Sequence, residues 1–200
     1  MGEMSSITGA RMSPLPSTVR YAIDPAKSRF TVRAFATGIL SGLGHSPTFA
    51  IRNYTGLITL LPGSQSNATL EFRVQADSLV VIDDVSDKDR KEIERVMRDE
   101  VLEVARYPEI TFLSRQVSES ELGGSMFAVK LVGDLSIHGV MQSRALTAQM
   151  TQSEESMRAY GEFILRQTDF GIKPISIMGG TLKIKDELKL AFDIVARAQA

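Results

Sequence analysis

From Tyr21 onward apolar residues recur at every second position, and this period constrains the fold more than any other feature of the chain. In NATLEFRVQAD, Ala68, Leu70, Phe72, Val74 and Ala76 alternate with Thr69, Glu71, Arg73 and Gln75. Successive side chains of a strand point to opposite faces, so the pattern describes a strand with one buried and one wet face. SRFTVRAFAT repeats it with Phe30, Val32, Ala34 and Ala36, and MFAVKLVGDLSI with Phe127, Val129, Leu131, Leu135 and Ile137. ELKLAFDIVARA does so with Leu188, Leu190, Phe192, Ile194 and Ala196, while RALTAQM and MRAYGEFILR carry it more weakly. Turn chemistry separates the runs at Asp24-Pro25, Pro62-Gly63, Gly123-Gly124 and Gly179-Gly180.

One segment breaks the period. In SDKDRKEIERVMRDEVLEVARYP the apolar residues Ile93, Val96, Met97, Val101 and Val104 fall at three- and four-residue steps, the spacing of an amphipathic helix. Ser86 suits its N-cap with Asp89 three residues later, and Pro108 lies just past its end. A helix over about 87–106 is expected, with Ile93, Met97, Val101 and Val104 packed on the sheet and the charged face in solvent. Seven or eight strands with an inserted helix predict an all-β domain, either a closed antiparallel barrel or a sandwich.

A chain of 200 residues is most simply one domain, here 19–200 behind a small, polar, proline-containing tail at 1–18. The net charge of −1 supplies no basic field for nucleic acid. With no cysteine there is no disulfide, thiolate metal site or cysteine nucleophile. No apolar run reaches the length of a membrane helix, and the N-terminus lacks the apolar core of a secretory signal. The chain as written is therefore expected in the cytoplasm, or in the periplasm if a leader was removed. MGEMSS also fits the short myristoylation pattern, which often arises by chance.

Asp169-Phe170-Gly171 spells the metal-binding triplet of protein kinases. The chain lacks the glycine-rich loop and the HRD loop that a kinase needs, and only 29 residues follow Gly171. The triplet is expected to be a turn after a strand ending at Arg166, with Phe170 packed beneath it.

YAIDPAKSRFTVRAFATG at 21–38, YPEITFLS at 107–114, VGDLSIHGV at 132–140 and LRQTDFGI at 165–172 occur in order. Together they resemble the motifs of the YceI family. The resemblance implies a lipocalin-like, extended eight-stranded antiparallel β-barrel that binds a long-chain isoprenoid, quinone or fatty lipid inside. It also implies a histidine near the barrel mouth, which His45 in GLGHSP matches. Where the family has a short aromatic-rich run, this chain carries the charged segment 87–106. This departure bears on the pocket mouth.

The alternating stripes predict Phe30, Val32, Leu70, Phe72, Val74, Phe127, Val129, Leu131, Leu190 and Phe192 as ligand-facing residues, with His45 as a head-group contact. Parity alone leaves a solid core and a hollow barrel equally open. No catalytic residue, metal site or cofactor is expected. Only His45 and His138 are available, without H-x-H or H-E-x-x-H spacing, and there is no G-x-S-x-G elbow. The leading expectation is a non-enzymatic lipid carrier. Two alternatives stay open: an enzyme built on His45 and His138, metal-assisted or not, and a ligand-free interaction module acting through the charged helix or as a homodimer.

Overall fold

The computed structural model describes residues 18–37, 46–61, 64–153, 155–177 and 182–199. The expected tail lies outside them except for Thr18, as do His45 and the turn pairs Pro62-Gly63 and Gly179-Gly180. In chain order the strands are β1 (Val19–Ile23), β2 (Arg29–Arg33), β3 (Ala36–Thr37), β4 (Thr48–Ile51), β5 (Tyr54–Leu61), β6 (Ser64–Gln75) and β7 (Leu79–Val81). They continue with β8 (Glu109–Gly123), β9 (Met126–Ile137), β10 (Val140–Gln152), β11 (Ser156–Arg166), β12 (Ser176–Ile177), β13 (Leu182–Ile184) and β14 (Glu187–Ala198).

Eight of these close a lipocalin-like antiparallel barrel in the order β1-β5-β6-β8-β9-β10-β11-β14, with β14 pairing back to β1. Closure pairs the strand edges that an open sheet would expose. The strand β14 is long enough to serve two partners. Its Lys189–Asp193 half pairs with β2 and its Ala196–Ala198 end with β1. Between them Asp24-Pro25 turns the chain, and on this edge no β1 or β2 residue is in register with Val195. The Ser28 hydroxyl takes that rung, accepting the Val195 N–H at 2.9 Å and lying 3.3 Å from its carbonyl. From β14 the sheet continues outward through β2, β4 and β7, while β3, β12 and β13 form a separate small sheet.

The helix α1 (Asp87–Val96) begins as the sequence implies: the Ser86 hydroxyl accepts the Asp89 N–H at 3.1 Å and donates to its carboxylate at 2.7 Å. It ends earlier than Arg106. A π turn over Met97–Val101 follows α1, and Leu102 N–H reaches back to the Met97 carbonyl. Glu103 then takes a left-handed backbone, φ 44°, which stops helical propagation. The wider turn rotates Leu102 into the core beside Met97, while Ile93, Val101 and Val104 pack against it as expected.

The helix also explains how the free edge of β7 is managed. Glu94 accepts the Val81 N–H at 2.9 Å, and Arg90 donates to the carbonyls of Val81 and Asp83. Edge groups that would otherwise template another strand are thus satisfied by side chains. Among the described residues no helix is long and apolar enough to cross a membrane.

A β-bulge in β8 changes which residues look inward. Its register with β9 slips between Ser114 and Gln116. Before the slip Ile110 and Phe112 line the interior, and after it Val117 and Glu119 do. Gly133 makes the bulge sterically feasible, since a Cβ there would run into the Leu113 carbonyl and the Ser114 backbone. Buried Ser114 accepts the Leu70 N–H at 2.7 Å, replacing a ladder bond at the distortion.

Candidate ligand-binding site

The barrel is hollow. A cavity of about 810 Å³ runs along its inside, within the range of small-molecule sites. All eight barrel strands contribute to the lining, and so does α1 through Ile93 and Val96. Many lining side chains are only half-buried, among them Phe72, Leu131 and Leu190, because the surface they expose faces the cavity. The lining is chiefly aliphatic and aromatic, so the site gains by desolvating an apolar chain rather than by charge pairing.

Nine of the residues named from the stripes meet on this lining: Phe30, Val32, Leu70, Phe72, Val74, Val129, Leu131, Leu190 and Phe192. Phe127 does not. It lies half-buried at the start of β9, just after the Gly123-Gly124 turn and paired with the lining residue Met150 of β10.

Phe30 is the centre of an aromatic cluster. Its ring lies 4.6 Å from Phe72, 6.3 Å from Phe192 and 4.8 Å edge-on from Tyr54. Aromatic pairs at such separations add to the gain from burial and stiffen the wall. Tyr54 is anchored by its hydroxyl, which donates to the Ser28 carbonyl at 3.1 Å, and burial raises its pKa.

The charged residues on the lining are Asp89, Glu92, Glu119 and Lys183 among those described. Asp89 and Glu92 are exposed on α1, and Glu92 pairs with Arg95 at 2.7 Å. Lys183 is exposed on β13. Glu119 is half-buried toward the opposite end, near the β8–β9 turn, and burial together with the nearby Glu121 charge raises its carboxyl above the usual range. Sequence reasoning missed Glu119 because strict alternation from Phe112 turns it to solvent, and the bulge reverses that.

The YceI-like domain profile matches residues 21–196. The chain belongs to the YceI-like domain family. Two solved structures with this fold are BcnA of Burkholderia cenocepacia and a polyisoprenoid binding domain from Saccharophagus degradans implicated in plant cell wall breakdown. BcnA shows a TM-score of 0.65 at 17% identity, covering 86% of this chain and 98% of its own. The Saccharophagus domain shows 0.65 at 15%, covering 90% and 98%. The YceI protein of Campylobacter jejuni is also similar, with a TM-score of 0.54 at 16% identity over 75% of this chain and 84% of its own. No curated protein matches the chain in sequence.

In this YceI-like chain the kinase-type triplet is a turn, as expected. The strand β11 ends at Arg166, a 3₁₀ turn covers Gln167–Phe170, and Gly171 closes it at φ 69°. Phe170 is fully buried, and Arg144 stands over its ring while pairing with Asp169.

His138 stands off the cavity lining. Its Nε2 lies 2.6 Å from a Glu103 carboxylate oxygen, and its ring packs 4.4 Å from that of Tyr107. Both His138 and Glu103 have positive φ, so this bridge ties the β9–β10 turn to the segment leaving the π turn. Among the described residues no three potential metal ligands cluster. The bridge is partly exposed on the Glu103 side, which screens it. His138→Ala is therefore expected to lower stability by about 1–2 kcal/mol in urea denaturation, with ligand retention by the folded protein unchanged. Loss of ligand without loss of stability would assign His138 to the site instead.

Proposed function

We propose that the chain is a non-enzymatic binder that carries or sequesters an isoprenoid or similarly amphiphilic lipid inside its barrel. The observation that carries this reading is the continuous apolar cavity, about 810 Å³, lined by strands from the whole circumference. Burying roughly ten methylenes of a tail there gains about 8 kcal/mol before ordering costs. This site needs no catalytic constellation, and His138 is committed to Glu103 away from it. The polyisoprenoid binding description of the Saccharophagus domain agrees with an isoprenoid as the ligand class.

The test is native mass spectrometry of the purified protein, followed by organic extraction and identification of what is released. A lipid adduct of defined mass that disappears on extraction is expected. A protein that is free of lipid, and that also fails to take up a neutral apolar dye, would overturn the proposal.

A further inference from the structure

Glu119 is a half-buried carboxylate on a lining that is otherwise mostly hydrocarbon. It stands two residues from Val117 on β8 and opposite Val129 on β9, and both of these apolar residues share the lining with it. Among the described residues it makes no hydrogen bond and no ion pair, and the charge that acts on it is that of Glu121. The other lining carboxylates differ. Glu92 is held by Arg95, Asp89 takes the Ser86 hydroxyl, and both stand in solvent.

The wall around Glu119 is also unusual. Among the described residues β8 pairs with β6 only over Glu109–Leu113, and beyond Ser114 it pairs with β9 alone. Among the described pairings Glu119 therefore lies beyond the last β6 rung, next to the apolar interior. A carboxylate removed from water without a donor is unfavourable, and a donor brought by a ligand offsets that cost.

We propose that Glu119 receives the polar end of the bound lipid, and that this head is a hydrogen-bond donor without negative charge, a hydroxyl or a protonated amine. The tail fills the cavity between Phe30, Phe72 and Leu131, so this assignment rests on the carrier reading above. Phosphate and carboxylate heads meet the like charges of Glu119 and Glu121 and are rejected by repulsion. The bulge at Ser114 has a consequence for specificity here, because it is the bulge that turns Glu119 inward.

The test compares farnesylamine, farnesol and farnesyl phosphate, which share one apolar chain, as competitors of the neutral dye N-phenyl-1-naphthylamine. Wild-type protein and Glu119→Gln are measured side by side, each shown to be folded by circular dichroism. The wild type is expected to prefer the amine, then the alcohol, then the phosphate. In Glu119→Gln the amine should weaken about tenfold. The phosphate should tighten in that variant, each competitor being referred to the dye affinity measured for the same protein. Identical head-group ranking in the two proteins, or farnesyl phosphate binding tightest to the wild type, would overturn the role of Glu119 while leaving the carrier reading intact. Failure of the dye to bind the wild type would overturn the carrier reading, and the head-group assignment with it.

Discussion

Phe72→Asp is expected to abolish retention of an isoprenoid chain by a barrel that still folds. Phe72 projects into the cavity and packs against Phe30 and Tyr54 at ring distances of 4.6 and 5.7 Å. Aspartate there removes the aromatic contact and places a short acidic chain in the lumen, too short to reach bulk water past the wall. In the empty barrel, water entering the cavity solvates the charge, so the fold tolerates it. When a tail fills the cavity that water is expelled, and an unpaired carboxylate beside hydrocarbon opposes binding by several kcal/mol. A loss of more than about a hundredfold in affinity follows from even 3 kcal/mol. Displacement of a neutral dye by farnesol, with circular dichroism to confirm folding, reads it out. Leu131→Asp, two strands further round the barrel on β9, should behave the same way. If both variants fold and keep farnesol affinity, the tail does not occupy this cavity.

The largest effect on stability is expected at Phe170. Its side chain is fully buried, the tightest burial of any large residue described, and it anchors the turn that follows β11. Phe170→Ala should cost about 3–5 kcal/mol, the sum of lost transfer energy and the void left behind. Phe170→Leu keeps much of the volume and should cost markedly less. Urea denaturation of the three proteins checks the order. A loss below about 1 kcal/mol for the alanine variant would show that the turn collapses onto the gap or contributes little to the core. Arg144 complicates the readout, since its guanidinium stands over the ring at 5.3 Å and pairs with Asp169. The leucine variant preserves the ion pair and separates packing from this contact.

Much of the fold was legible because a strand has a side-chain period of two and an amphipathic helix one of 3.6. The stripe through Leu70, Phe72 and Val74 and that through Leu190 and Phe192 both face inward as their alternation implies. Ser86 and Asp89 announced the helix start correctly. The helix end was not legible. The stripe continues to Val104, but a wider turn at Met97–Val101 and the His138 bridge to Glu103 divert the chain first. The bridge leaves no local signature, because it depends on a partner 35 residues along the chain. Of the residues named from the stripes, Phe127 alone is absent from the described lining.

The sequence by itself determined the class of structure: alternating apolar residues, turn pairs such as Gly123-Gly124, and four ordered family motifs define an antiparallel all-β barrel with one helix. Those features act locally, through backbone geometry and the need to bury one face of each strand. Tertiary structure alone decided that the barrel is hollow, since whether facing side chains meet or leave a gap depends on barrel circumference and strand tilt. It also decided that Glu119 faces the cavity. One bulge between Ser114 and Gln116 reverses the parity of β8 from there to a second shift between Glu121 and Gly123, and Gly133 on the neighbouring strand makes room for it.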